Sequence, residues 1–175
     1  MVTPRLETER LILRPLKIAD AQAVYSNWAT DPEVSKFMRW SAHKSIDETI
    51  TWLTAIESLH DSEKTFEWGF ELKETGGLIG SGGMYVRNDE NIFELGYCVM
   101  QKYWGIGIAT EAAEAMLKFA VNALDERKFF ATHDKENLAS GKVLEKLGFV
   151  YQRDGGDVTF DGTKTFATRE YVLKT

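Results

Sequence analysis

The stretch Tyr103-Trp-Gly-Ile-Gly-Ile-Ala-Thr-Glu-Ala112 decides how this chain is read. A strand-like run ends just before it at Met100, and a helical pattern starts at about Ile108. Between them, Gly105 and Gly107 allow a tight turn that exposes successive amide N–H groups beside a helix N-terminus. Such a turn holds a phosphate or pyrophosphate without a lysine, and it also serves as a plain strand-to-helix connection that binds nothing. Residue types exclude two phosphate motifs. A P-loop needs Gly-Lys-Ser/Thr, and no lysine follows Gly107. A dinucleotide fingerprint needs a small sixth residue, where Thr110 stands, and a parallel strand–helix–strand unit, where the preceding runs read as a meander. Gly80-Ser-Gly82-Gly83 lies inside a strand pattern and reads as a bulge or a close backbone contact.

Downstream of the turn lies the cleanest periodicity in the sequence. Ala109, Ala112, Ala113, Met116, Leu117, Ala120 and Leu124 form an apolar stripe, with Glu111, Glu114, Lys118, Asn122 and Asp125 on the wet face. Phe129–Thr132 reads as a short strand. Asn137 to Leu147 reads as a helix stopped by Gly148, with Phe149 packing back. Asp161-Gly162 marks a final hairpin. Upstream, Thr65–Lys73, Leu78–Val86 and Ile92–Met100 are three strand-like runs separated by Thr75-Gly76-Gly77 and by Asn88-Asp89-Glu90-Asn91. Leu11–Leu16 reads as a strand that Pro15 places at an edge or a strand end. Asp20 is expected to cap a helix through Trp28, and Ser45-Ile-Asp-Glu48 is a capping-box pattern opening a helix with Ile46, Ile50, Leu53 and Ile56 on one face. The order predicts an α+β fold with a mixed sheet at its centre.

The 175 residues match one domain of ~100–200, and no repeat or linker divides residues 1–175. A hydrophobic share of 43%, with ten Phe, six Tyr and five Trp, supplies a continuous core and excludes a disordered chain. Twenty-one basic against 27 acidic residues give −6, which disfavours nucleic-acid backbones and suits a cationic or amine-bearing partner. Cys98 is the one cysteine, so no internal disulfide or CxxC knuckle forms. No apolar run approaches the ~20 residues that cross a bilayer, and MVTPRLETER is too charged for a signal peptide, so no membrane partner and a cytoplasmic location are expected.

Trp-Gly-Ile-Gly-Ile-Ala, at 104–109, resembles the acyl-CoA pyrophosphate loop of the GNAT superfamily of N-acetyltransferases. Phe93-Glu-Leu-Gly-Tyr-Cys-Val-Met100 is similar to that family's fourth strand. Asn137-Leu-Ala-Ser140 through Glu145-Lys-Leu-Gly-Phe149 is similar to its last conserved helix. The opening Arg5-Leu-Glu-Thr-Glu-Arg-Leu-Ile-Leu-Arg-Pro15 and Asp31-Pro-Glu-Val34 resemble the branch that includes ribosomal-protein-alanine acetyltransferases. The resemblance implies a mostly antiparallel central sheet flanked by about four helices, with acetyl-CoA as co-substrate. It assigns that co-substrate to Cys98, Val99 and Met100 at the strand end, to Trp104, Gly105, Ile106, Gly107, Ile108, Ala109 and Thr110 in the turn, and to Asn137. Two departures stand out. Trp104 occupies a loop position that usually carries Gln or Arg, with Gln101 three residues earlier. Leu144 occupies the place of a Tyr that can protonate the departing thiolate, a role a Ser at position 140 is thought to take in this branch.

An amine attacks a thioester only as the neutral base, yet a free alkylamine has a pKa of roughly 10. A carboxylate at the site, directly or through water, can take the proton. Glu94 shares strand parity with Gly96, Cys98 and Met100 and matches a family base position; otherwise it is an ordinary cross-strand or solvent-facing Glu. Backbone N–H groups around Val99 are expected to hold the thioester oxygen. Asn137 is a good helix cap and by resemblance also bonds the pantetheine arm. Ser140 either donates to the leaving sulfur or spends its hydroxyl within the helix. Cys98 has no His at motif spacing and reads as a buried structural thiol. His43, His60 and His133 show no ligand spacing, so no metal is implied. Trp28, Trp40, Trp52 and Trp68 are candidates for the acceptor side or the core, Trp40 above all for the former. The resemblance, with these residues, implies an N-acetyltransferase acting on a primary amine, from a peptide N-terminus or a small molecule, by direct attack in a ternary complex. A CoA-binding regulatory module without catalysis is the alternative, and both monomer and homodimer fit.

Overall fold

Runs of alternating apolar residues build one eight-stranded sheet, in a computed structural model that describes residues 2–87 and 92–175. The expected turn at Asn88–Asn91 lies outside the described residues. The strands are β1 (Leu6–Glu7), β2 (Leu11–Pro15), β3 (Thr65–Leu72), β4 (Leu78–Arg87), β5 (Ile92–Val99), β6 (Lys128–Asp134), β7 (Val150–Val158) and β8 (Thr165–Lys174). Their order across the sheet is β1-β2-β3-β4-β5-β6-β8-β7. Every neighbouring pair is antiparallel except β5 and β6. Those two strands run parallel and pair only at Phe93 with Phe129 and Glu94 with Phe130. Beyond that point they part.

Helix α4 (Ile108–Ala123) makes the parallel crossover from β5 to β6. The three runs before the turn form the expected antiparallel meander, but a parallel strand–helix–strand unit follows around the glycine turn, so the meander is no ground for excluding one there. The meander ends at β5, and the helix after it turns the chain direction back. Of the expected stripe, Ala112, Ala113, Met116, Leu117 and Ala120 lie buried against the sheet, Ala109 and Leu124 are half-buried, and Ile108 joins the buried set. The alanines let the helix come close, and Phe119 meets Phe66 and Trp68 edge-on at 5.2 and 5.7 Å.

The other face of the sheet is covered by α1 (Ala21–Val24), the short α2 (Pro32–Ser35) and α3 (Ile46–Ser58). Their core is Leu16, Val24, Trp28, Val34 and Leu53, with Cys98 of β5 at its border. Two expected caps differ here. Asp20 does stand at the N-cap of α1, and helical turns run past Trp28 through a π segment at Tyr25–Ala29, but its carboxylate makes no cap bond: it accepts from the Lys17 N–H and from Arg14 at 2.9 Å each. The guanidinium outcompetes the helix amides. At α3, Ser45 makes no side-chain cap, and Glu48 accepts from Lys44 N–H at 2.9 Å instead of reaching Ser45.

Helix α5 (Leu138–Lys146) ends as read: Gly148 has φ +88, Phe149 N–H bonds to Leu144 C=O and Gly148 N–H to Glu145 C=O, each at 3.0 Å. The glycines of β4 are close-contact positions. A Cβ on Gly80 would stand 2.3 Å from the Cys98 carbonyl oxygen. Gly80→Ala must push β4 from β5, and it is expected to lower stability by about 1–3 kcal/mol in urea unfolding. Unchanged stability would show that the strands give way freely.

Candidate active site

The glycine turn lies at the end of β5. Gly105 and Gly107 hold φ +77 and +86, a left-handed backbone that only glycine adopts at little cost. Gly107 is also the N-cap of the 16-residue α4, whose first N–H groups have no partner inside the helix. Nothing stands within 4 Å of where a Cβ on Gly105 would be. Trp104, in place of the usual polar residue, donates its indole N–H to Val99 C=O at 2.6 Å and pins the turn to the strand end.

The N-terminal strands supply a clamp that the sequence did not reveal. Arg10 donates to Ile106 C=O at 2.9 Å and pairs with Glu111 at 2.7 Å, while a Cβ on Gly107 would stand 3.5 Å from its Nη2. Glu111, placed on the wet face by periodicity, also accepts from Thr8 Oγ1 at 2.5 Å and Arg10 N–H at 2.8 Å. Burial pushes its carboxyl up, but these donors outweigh that and hold it below its ordinary value. A guanidinium is thus fixed beside the amides of the turn. Positive-φ glycines, a helix N-terminus and a fixed cation together fit a pyrophosphate.

The parting of β5 and β6 opens a cavity of about 240 Å³. Met100 N–H bonds back to Ile79 on β4, so the alternate residues Tyr97 and Val99 turn their backbone groups toward the β6 side. Asn137 and Ser140 line this cavity from α5, and Glu94, Gly96 and Cys98 from β5. Asn137 caps α5, its Oδ1 accepting from Ser140 N–H at 3.1 Å. Val99, Met100 and the turn from Trp104 to Thr110 lie outside the cavity lining.

Tyr97 was not singled out by sequence. Its hydroxyl lies 3.0 Å from Ser140 Oγ and 3.4 Å from Ser140 C=O. Burial pushes the phenol up to about 12, with Ser140 pulling the other way, so it stays protonated at neutral pH. Leu144, where a Tyr is usual, is buried in the core instead.

Glu94 is 5% exposed. Its oxygens lie 3.0 Å from Arg39 and 3.5 Å from Arg87. Burial raises its pKa against the pull of Arg39, Tyr85 and Arg87. Arg39 comes from the connection between α2 and α3 and also bonds Tyr85 Oη at 2.6 Å and the carboxylate of Asp157 on β7. Trp40 and Trp52 line the cavity, whereas Trp28 and Trp68 are core. Cys98 is buried and its thiol pushed by burial up to about 11, so it is no nucleophile. His43 bonds Thr49 at 2.7 Å, and buried His133 bonds the Asp134 carbonyl at 2.7 Å. Among the described residues no three His, Cys, Asp or Glu side chains are grouped to hold a metal ion. No described helix is long and apolar enough to cross a membrane.

Residues 10–150 match the family model for the acetyltransferase (GNAT) domain. The chain belongs to the GNAT acetyltransferase family. It is 30% identical over 153 residues to the uncharacterized N-acetyltransferase YoaA of Bacillus subtilis, covering 87% of this chain and 85% of that protein. The ribosomal protein uS5-alanine N-acetyltransferase of Escherichia coli is 26% identical over 150 residues, covering 83% and 77%. Among solved structures, that of a putative ribosomal-protein-serine acetyltransferase from Vibrio cholerae shares the fold at a TM-score of 0.86 and 19% identity, covering all of both chains.

Gly107→Val forces a β-branched residue into φ +86 beside Arg10. Its affinity for CoA is expected to fall at least ~10-fold, a loss of about 1.4 kcal/mol in calorimetry. Arg10→Met should weaken binding in the same direction by removing the cation. Wild-type affinity in both folded variants would move the pyrophosphate away from this turn.

Proposed function

We propose that the protein transfers the acetyl group of acetyl-CoA to a primary amine, acting over its whole length as one domain. The observation that carries this reading is the single cavity at the strand parting, which joins Ser140 and Asn137 on one wall to acceptor-side carboxylates on the other. In this reading the turn from Trp104 to Thr110, with Arg10, holds the pyrophosphate. Cys98, Val99, Met100 and Asn137 follow the pantetheine arm into the parting. The N–H of Val99, on the same strand edge as the carbonyl that Trp104 engages, steadies the thioester oxygen as charge develops. Glu94 belongs to the acceptor wall. The amine attacks directly, since Cys98 offers no activated nucleophile.

Ser140 gives the proton that the departing sulfur needs. Tyr97 donates to Ser140 Oγ over the 3.0 Å contact, which leaves the serine O–H free for the sulfur. This restores, from β5, the tyrosine that α5 lacks at Leu144. The acceptor is a peptide N-terminus or an alkylamine whose end enters the cavity. A volume of about 240 Å³, below the ~300–1,000 Å³ of a pocket for a drug-sized ligand, takes a chain end and leaves the rest of the acceptor outside.

The test is release of free CoA thiol over a panel of peptide N-termini, polyamines and antibiotic amines. Turnover with one class is the expected result. Tight acetyl-CoA binding with no turnover on any amine would favour a regulatory module. On an accepted amine, Ser140→Ala should slow kcat toward the low end of the ~10²–10⁴-fold range of acid–base groups, since a thiolate of pKa ~8.5 leaves tolerably unaided. Tyr97→Phe should slow it less. Full turnover in Ser140→Ala would take Ser140 out of the mechanism.

A further inference from the structure

The cavity holds a second glutamate that the sequence did not single out. Glu67 stands on β3, where its cross-strand partners are Gly83 on β4 and then Gly96 on β5. All three belong to one row on the cavity face. A Cβ on Gly83 would lie 2.1 Å from Glu67 Oε2, so the carboxylate occupies the space that the missing side chain leaves over β4. At Gly96, the next position in the row, nothing stands within 4 Å of where a Cβ would be. The glycines thus make a smooth path along which the carboxylate of Glu67 extends toward the strand parting.

The two glutamates of this wall differ in their partners. Glu94 is bracketed by Arg39 and Arg87. Glu67 has no hydrogen bond or ion pair with any described residue. The titratable and charged groups that share its cavity are Tyr85 on β4, Glu94, Tyr97 and Cys98 on β5, His133 and Asp134 on β6, and Arg39 from the α2–α3 connection. Only Arg39 among them carries a fixed positive charge, and its guanidinium is engaged by Glu94, Tyr85 and Asp157. We propose that Glu67 accepts the proton of the attacking amine, because its free carboxylate reaches across Gly83 toward the open floor at Gly96, and that Glu94 is a positioning residue that holds Arg39 on the acceptor wall.

The inference rests on the amine-transfer reading and names the acceptor more closely as an alkylammonium that loses its proton inside the cavity. The unpaired carboxylate attracts the cation, with Trp40 and Trp52 lining the same space. The ammonium gives one proton to Glu67. The freed nitrogen lone pair then bonds the acetyl carbonyl carbon as the carbon–sulfur bond breaks, and the sulfur keeps that bonding pair and takes the Ser140 proton. Of the two N–H protons left on the attacking nitrogen, one stays on the amide and the other passes through water to Ser140, replacing the proton it gave to the sulfur. Burial pushes the Glu67 carboxyl up to about 8. A base at that level faces an ammonium near 10 with a gap of about two pKa units, against nearly six for an ordinary Glu at ~4.3.

The test compares wild type, Glu67→Gln and Glu94→Gln for kcat, acceptor KM and acetyl-CoA affinity across pH. In the wild type, kcat should rise with pH and level off above about 8, as Glu67 becomes ionised. Glu67→Gln should bind acetyl-CoA normally, lose ~10²-fold or more in kcat at pH 7, and keep gaining rate where the wild type levels off. Glu94→Gln should raise acceptor KM and leave the inflection in place. Wild-type rate and profile in Glu67→Gln, or loss of the inflection in Glu94→Gln instead, would overturn the assignment. Carbon-13 titration of the Glu67 carboxyl, identified by its loss in Glu67→Gln, is read whether or not an acceptor is found. A midpoint near 8 supports the proposal, and one in the ordinary range of ~4–5 overturns it. A wild type that binds acetyl-CoA but acetylates no amine would instead count against the amine-transfer reading.

Discussion

The site depends on one constraint: β5 and β6 pair at two positions and then separate. A parallel pair needs a crossover, and here the crossover is α4, which starts seven residues after the 3-10 turn at Gln101–Tyr103 begins to bend the chain away. The following strand, β6, is drawn to its other neighbour instead, since it pairs with β8 along all seven of its residues. With β6 held by β8 and β5 held by β4, the space between their C-terminal ends has no backbone to fill it. Backbone groups of Tyr97 and the N–H of Val99 face that space, as does the first turn of α5, while the Val99 carbonyl is taken by Trp104. A binding cleft and its hydrogen-bonding wall thus arise from the same break in the sheet, which follows the general rule that open sheets bind at the carboxyl ends of parting strands.

What the sequence revealed was local. The glycine turn, the stripe of α4, the three-strand meander and the glycine stop of α5 each depend on residues within a few positions of one another, so spacing alone exposes them. The features it concealed are long-range choices among competing partners. Arg10 meets Ile106 across 96 positions and Glu111 across 101, and no periodicity encodes that. Asp20 and Glu48 have the composition of caps, yet Arg14 and the Lys44 N–H take them elsewhere. Glu67 shows the same limit. Strand parity puts it on a definite face, but only the register against Gly83 and Gly96 shows that this face opens on the cavity.

The same register explains why glycine recurs in β4. At Gly80 and Gly82 a Cβ would strike the carbonyl oxygens of Cys98 and Gly96 at 2.3 and 2.7 Å. At Gly83 it would strike the carboxylate that lies above it. Sequence inspection sees one small-residue cluster, whereas the structure divides it into close strand approach and room for a side chain. Glycine in a strand weakens it by entropy and lost packing, so three in one strand is a cost to the sheet of roughly 0.5–1 kcal/mol each. The aromatic layer on the opposite face, Phe66, Trp68 and Phe70 of β3 with Phe119 of α4 against the first two, offsets it.

Arg39 closes the molecule around this wall of the cavity by joining elements far apart in the chain. It reaches Tyr85 on β4, Glu94 on β5 and Asp157 on β7, and its own C=O accepts from Phe160 N–H at 2.7 Å in the terminal hairpin. Ser41 to Asp161 and Lys164 to the Lys36 carbonyl, both at 2.6 Å, seal the same contact. Three acceptors around one guanidinium leave it little capacity for a ligand, so its contribution is geometric. It also absorbs the charge of Glu94 that would otherwise repel ionisation of a second carboxylate in the same cavity. Arg39 thus accounts for the charge of Glu94, whereas the carboxyl of Glu67, which has no such partner among the described residues, has its pKa raised by burial alone.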